Sequence, residues 1–97
     1  AIVAWQNNAT GAGVLVGVID DGIDPNHPEL IGRISPNSTD IVPGRNALVT
    51  TLSHGSEISS LIAGNYNNQQ TVGVAFDATI LAVRADNGSD SFSSTAL

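Results

Sequence analysis

The sequence contains no cysteine. That excludes disulfide staples, thiolate zinc sites and a cysteine nucleophile, and leaves the redox compartment open. Charge is also scarce, at 12% of residues against a usual quarter. Three Lys plus Arg stand against nine Asp plus Glu, for a formal charge of −6. Such a surface repels phosphate backbones, so nucleic acid is not an expected partner. No apolar run approaches the ~18 residues of a membrane span, so no membrane segment is expected in this chain. The opening Ala1-Ile2-Val3-Ala4-Trp5 lacks an initiator Met, a basic stretch and a long apolar core. It does not read as a signal peptide, but as the start of a processed chain or of a piece of a longer one.

What is present argues for a folded chain. Hydrophobic residues make up 41% of 97 residues, too many for intrinsic disorder. A chain this short buries only about 60–65% of its unfolded surface, so its core is thin. Ile2, Val3, Trp5 and Ala9 fit a short helix over residues 1–9, ended by Gly11 and Gly13. Val14 to Asp20 is a β-branched apolar run, expected as a strand buried on both faces of a parallel sheet. Residues 24–46 hold four prolines and read as loop, with at most a short strand near Ile41-Val42. Ser53 is placed to cap a helix whose apolar positions are Ile58, Leu61 and Ile62, with Gly64-Asn65 as its stop. Asn65 to Thr71 is a polar loop, and Ala78 to Arg84 a second buried strand. Ser91 or Ser93 is placed to cap a further helix at the chain's end. The order predicts a right-handed βαβ crossover with parallel strands.

In open α/β sheets, ligands gather at the carboxyl ends of strands. Asp20 sits at such an end, where a poorly solvated carboxylate must find a hydrogen-bonding partner. His54 opens the crossover helix near the same sheet edge. The dipole of a first helical turn disfavours imidazolium and favours the neutral base. Taken alone, each residue reads more readily as a turn aspartate and a surface histidine. Together they can face each other, with the carboxylate accepting from one ring nitrogen and leaving the other free to take a proton. That is the orienting half of a nucleophile–base–carboxylate triad.

Three blocks carry a resemblance: Val16-Gly17-Val18-Ile19-Asp20-Asp21-Gly22-Ile23-Asp24, then His54-Gly55-Ser56-Glu57-Ile58-Ser59-Ser60-Leu61-Ile62-Ala63-Gly64, then Val72 to Arg84. In this order, with Asp20 and His54 34 residues apart, the chain resembles the subtilisin-like serine proteases, or subtilases. The wording Gly73-Val74-Ala75-Phe76-Asp77-Ala78-Thr79 is most like the bacterial autotransporter-type members.

The resemblance implies an α/β fold, a three-layer sandwich around a parallel sheet, with residues 1–97 as the N-terminal portion of a catalytic domain. It implies a secreted or cell-surface bacterial serine endopeptidase acting on a polypeptide substrate through an acyl-enzyme. Asp20 would orient the imidazole, and His54 would be general base and then general acid. No cofactor is required for that chemistry. Glu29 and the Asn65–Thr71 loop fall where some members bind structural calcium, although the loop reads more readily as a solvated one. Phe92 falls where the family often has the aromatic wall of an apolar substrate pocket, and it could equally begin the next helix as a core residue.

The chain also departs from the family pattern. Asp21 stands where many members have Ser or Thr, and as a second carboxylate it should raise the pKa of His54. Ser56 replaces a common Thr, Glu57 a common second His, and Ser60 a common Gly. A Gly-Thr-Ser nucleophile block and an oxyanion-hole Asn block are absent, and Ser89, Ser91, Ser93 and Ser94 lack that glycine context. The reading from another class is a non-catalytic remnant or binding module on the same scaffold. Gly11-Ala12-Gly13 precedes a strand instead of following one, which argues against a dinucleotide site. A Mg²⁺ site on Asp20, Asp21 and Asp24 would leave the His54 block without a role.

Overall fold

The structure is a computed structural model that describes residues 2–66 and 72–87. Its elements are α1 (Ile2–Gln6), β1 (Leu15–Asp20), β2 (Thr39–Asp40), α2 (His54–Ala63) and β3 (Thr79–Arg84). β3 lies between β1 and β2, and both pairings are parallel. Leu15 pairs with Thr79 and Asp20 with Arg84, so the expected strands form at the expected places. The short strand in the proline-rich stretch sits at Thr39–Asp40, two residues before Ile41-Val42, and pairs with Val83 and Arg84.

β1 is not buried on both faces. Val18 and Asp20 are buried, whereas Leu15 and Ile19 are each 57% exposed. An unbroken apolar run shows no alternation from which to tell a covered face from an open one. Here α2 covers one face, and no described element covers the other.

The face that α2 buries is small: Gly55, Ser56, Ser59 and Ala63, flanked by Ile58 and Ile62. Leu61, expected on that face, points outward and is exposed. Small residues let the helix approach the sheet closely, and the core beneath is correspondingly lean: Val18, Ile23, Leu30, Ile80 and four alanines. The helix stops at Ala63 as expected, with the Gly64 N–H donating to the Ser60 carbonyl. Its last carbonyls are then satisfied by residues 74 and 75: Val74 N–H donates to Leu61 and Ala75 N–H to Ile62. At Gly73 a Cβ would collide with the Ala63 backbone, which is why this return carries glycine.

α1 is shorter than the expected 1–9 span. Asn8 adopts a positive φ, which ends the helix before Gly11 is reached. It is held by Trp5, whose indole N–H donates to the Val74 carbonyl at 2.8 Å and whose ring meets Phe76 edge-on at 5.2 Å.

Candidate active site

Asp20 is the last residue of β1 and is 8% exposed. One carboxylate oxygen, Oδ1, accepts the Asp21 N–H at 2.7 Å. The other, Oδ2, lies 2.8 Å from Nδ1 of His54. An ionised carboxylate only accepts, so Nδ1 carries the hydrogen and Nε2 presents its lone pair. The imidazole side chain is 64% exposed and lines an open hollow.

The hollow has a volume of about 650 Å³. Ile19, Thr51 and Leu52 give it an apolar and hydroxyl floor, and Asp21, Glu57 and Asp86 bring further carboxylates to it. This surplus acts on His54. The hydrogen bond that His54 donates to Asp20, the charge of Asp20, and the charges of Asp21 and Glu57 raise its pKa above the ordinary 6.5. The helix dipole pointed the other way in sequence, but carboxylates at contact distance outweigh it.

Asp21 does what sequence reasoning assigned to Ser53. Ser53 makes no side-chain cap bond to α2. Instead Oδ1 of Asp21 accepts the Gly55 N–H at 2.7 Å, capping the helix from 34 residues away. Asp21 is 4% exposed, and burial pushes its carboxyl pKa up against the lowering effect of that amide. Gly22 turns the chain at φ +93°, where a Cβ would meet the Ala47 carbonyl oxygen at 2.8 Å. Gly55 sits beside the imidazole, where a missing side chain also keeps bulk away from the ring. In the fold its immediate task is close approach, because a Cβ there would run into the Gly22 carbonyl and Asp21 Oδ1.

Beside the hollow, Arg84 Nε donates to Asp86 Oδ1 at 2.7 Å and Arg45 Nε to Asp40 Oδ2 at 2.7 Å, and longer ion pairs, Arg45 to Asp86 at 3.5 Å and Arg84 to Asp40 at 4.0 Å, tie the ends of β2 and β3 together. No local pattern announces this network, since it joins residues 40–45 to residues 84–86, two segments far apart in the chain. Glu29 is 1% exposed, and among the described residues neither of its carboxylate oxygens has a hydrogen-bond partner. Its carbonyl accepts the Asn65 N–H at 2.7 Å, which places it against the start of the polar loop. No group of three or more His, Cys, Asp and Glu suited to a metal occurs among the described residues. A second hollow, lined by Pro28, Arg33, Tyr66 and Phe76, contains no partner for His54. Among the described residues no helix is long and apolar enough to cross a membrane. Phe92, Ser89, Ser91, Ser93 and Ser94, most of the 65–71 loop and the expected final helix lie outside the described residues.

Comparison with known proteins identifies the family. A family model described as the Subtilase family matches residues 11–97. Furin-like protease 2 of Drosophila melanogaster is 36% identical over 91 residues, covering 88% of this chain and 5% of that protein. Human furin is 36% identical over 93 residues, covering 88% of the chain and 12% of furin. Proprotein convertase subtilisin/kexin type 5 of Branchiostoma californiense is 33% identical over 93 residues, covering 88% and 6%. The chain thus spans a small part of the length of the curated relatives it matches. These relatives are animal furin-like and convertase proteins. The autotransporter-type affinity and bacterial source expected from Gly73 to Thr79 find no support among them.

Proposed function

The chain belongs to the subtilase family, and from that premise we propose that it is the N-terminal portion of the catalytic domain of a serine endopeptidase. Asp20 is its orienting carboxylate and His54 its general base, with the nucleophilic serine outside these 97 residues. The observation that carries the reading is the 2.8 Å bond from His54 Nδ1 to Asp20 Oδ2, on a side chain that is 64% exposed, which leaves Nε2 as the ring nitrogen to take a proton. Nε2 would take the serine proton as the hydroxyl attacks a peptide carbonyl. It would then give that proton to the leaving amine, and water would repeat the cycle on the acyl-enzyme. The relatives' names include "proprotein convertase", which favours a polypeptide substrate and a secreted or cell-surface setting. Phe92 is kept as the wall of an apolar substrate pocket on the family resemblance alone.

Calcium belongs to the same reading as a structural ion. A buried carboxylate with two unpartnered oxygens suits a hard cation, and among the described residues Glu29 is such a group. Glu29 would hold the ion, whose contribution would be stability and not chemistry.

The test is labelling of the whole protein by a serine-directed phosphonate probe, with wild type and His54→Ala compared. Labelling of wild type and its loss in His54→Ala are expected. A folded wild-type protein that takes no probe and cleaves no peptide would instead make this a non-catalytic domain on the subtilase scaffold.

A further inference from the structure

The two adjacent carboxylates that close β1 grip residue 54 from two sides. Asp20 holds its ring. Asp21 holds the amide that follows it, through a buried 2.7 Å bond to the Gly55 N–H. Asp21 is itself fixed at three further points. Its N–H donates to Asp20 Oδ1, its carbonyl accepts the Thr50 hydroxyl at 2.9 Å, and the next residue is the tightly enclosed Gly22. The helix has no other described side-chain cap, since Ser53 supplies none. An amide in a first helical turn has no partner within the helix, so its acceptor decides how the helix start is anchored.

We infer that Asp21 is a positioning residue for His54, its buried carboxylate clamping the Gly55 amide so that the imidazole is set over the hollow in register with Asp20. The inference rests on the protease reading for its effect on rate, but the clamp itself does not need a reaction. Displacing a base by about 1 Å costs on the order of 100-fold in rate, so an anchor one peptide bond away has leverage on kcat. The carboxylate has a second effect, through charge. The groups facing His54 are Asp20 and Asp21 from the end of β1, Glu57 from α2, and Asp86 beyond β3. Removing the Asp21 charge lowers the pH at which the imidazole becomes neutral.

Asp21→Ala and Asp21→Asn in the whole protein separate these effects. Asparagine keeps an oxygen for the Gly55 amide and loses the charge, whereas alanine loses both. The alanine variant should lose roughly 10- to 100-fold in kcat with KM nearly unchanged. The asparagine variant should recover most of that loss, and in both the acid limb of kcat/KM should move to lower pH. NMR titration of the His54 imidazole should show the same downward movement without any substrate. That measurement tests the charge effect even if the wild type proves to cleave no peptide. The clamp would be overturned by an alanine variant within about twofold of wild-type kcat, or by an asparagine variant no better than alanine. A loss confined to KM would overturn it too, and a His54 titration unmoved in both variants would overturn the charge effect.

Discussion

At the scale of single residues, the proposed chemistry depends on one hydrogen bond that fixes a tautomer. With Nδ1–H committed to Asp20, only Nε2 can accept a proton. Asp20→Asn keeps volume and shape but presents an amide to the ring, which favours the wrong tautomer. In the whole protein it should lower kcat by about 10⁴-fold, the order known for triad members of serine proteases, with little change in KM. A variant keeping a tenth of wild-type kcat would exclude Asp20 from the orienting role. The base works only when neutral. Because the Asp20 bond and the surrounding carboxylates raise its pKa, wild-type kcat/KM should climb through an acid limb centred above pH 6.5. A pH profile on a neutral peptide measures this. The pair itself was legible in sequence, because a strand end and a helix start joined by a crossover meet at one sheet edge. The role of Asp21 was not, since a cap donated from 34 residues away leaves no local mark.

At the scale of elements, two junctions carry the site. The first is the start of α2. A side-chain N-cap usually contributes about 1 kcal/mol, but Ser53 makes no such bond here. Ser53→Ala should therefore cost less than about 0.5 kcal/mol in urea unfolding of the whole protein, well short of a capping loss. The second junction is where β2 and β3 end. Burial pushes the Asp40 carboxyl up, but the hydrogen bond and charge of Arg45, the Val42 amide and the charge of Arg84 outweigh it. Its pKa is held below 3.8 in the folded protein. The resulting stabilisation is in place above that unfolded value and disappears as pH falls through the lower folded one. Asp40→Asn should flatten the acid end of a plot of urea midpoint against pH, and an unchanged slope would remove Asp40 from the account. Periodicity located α2 but put Leu61 on the wrong side. The sheet is approached through Ser56, Ser59 and Ala63, small residues that no hydrophobic pattern marks.

At the scale of the molecule, the described residues form one covered sheet face and one open one. Leu15 and Ile19 stand exposed on β1, an edge strand of the three-stranded sheet. The 97-residue chain on its own should therefore melt broadly or aggregate, and bind a hydrophobic dye, because open apolar faces and edges associate. It should also hydrolyse no peptide, having no Gly-Thr-Ser block to supply a nucleophile. A sharp monomeric melt or genuine turnover by the purified chain would contradict the fragment reading. In the whole protein, chelation should lower the melting temperature, and excess Ca²⁺ should restore it. Glu29→Gln should weaken that dependence by removing the buried charge. An unchanged melting temperature with and without chelator would show that the Glu29 carboxylate takes no cation.

The sequence by itself determined both long strands, the position of the crossover helix and the pairing of Asp20 with His54. Each follows from a local demand: β-branched runs favour extended chain, helical spacing marks the crossover, and a parallel crossover returns to one sheet edge. Only the tertiary structure decided which face of β1 is covered, which carboxylate caps α2, how Asp40, Arg45, Arg84 and Asp86 interlock, and that Glu29 is buried with no partner for its carboxylate among the described residues. Those outcomes depend on groups far apart in the chain competing for the same few ångströms of space, and no window of neighbouring residues contains all the competitors.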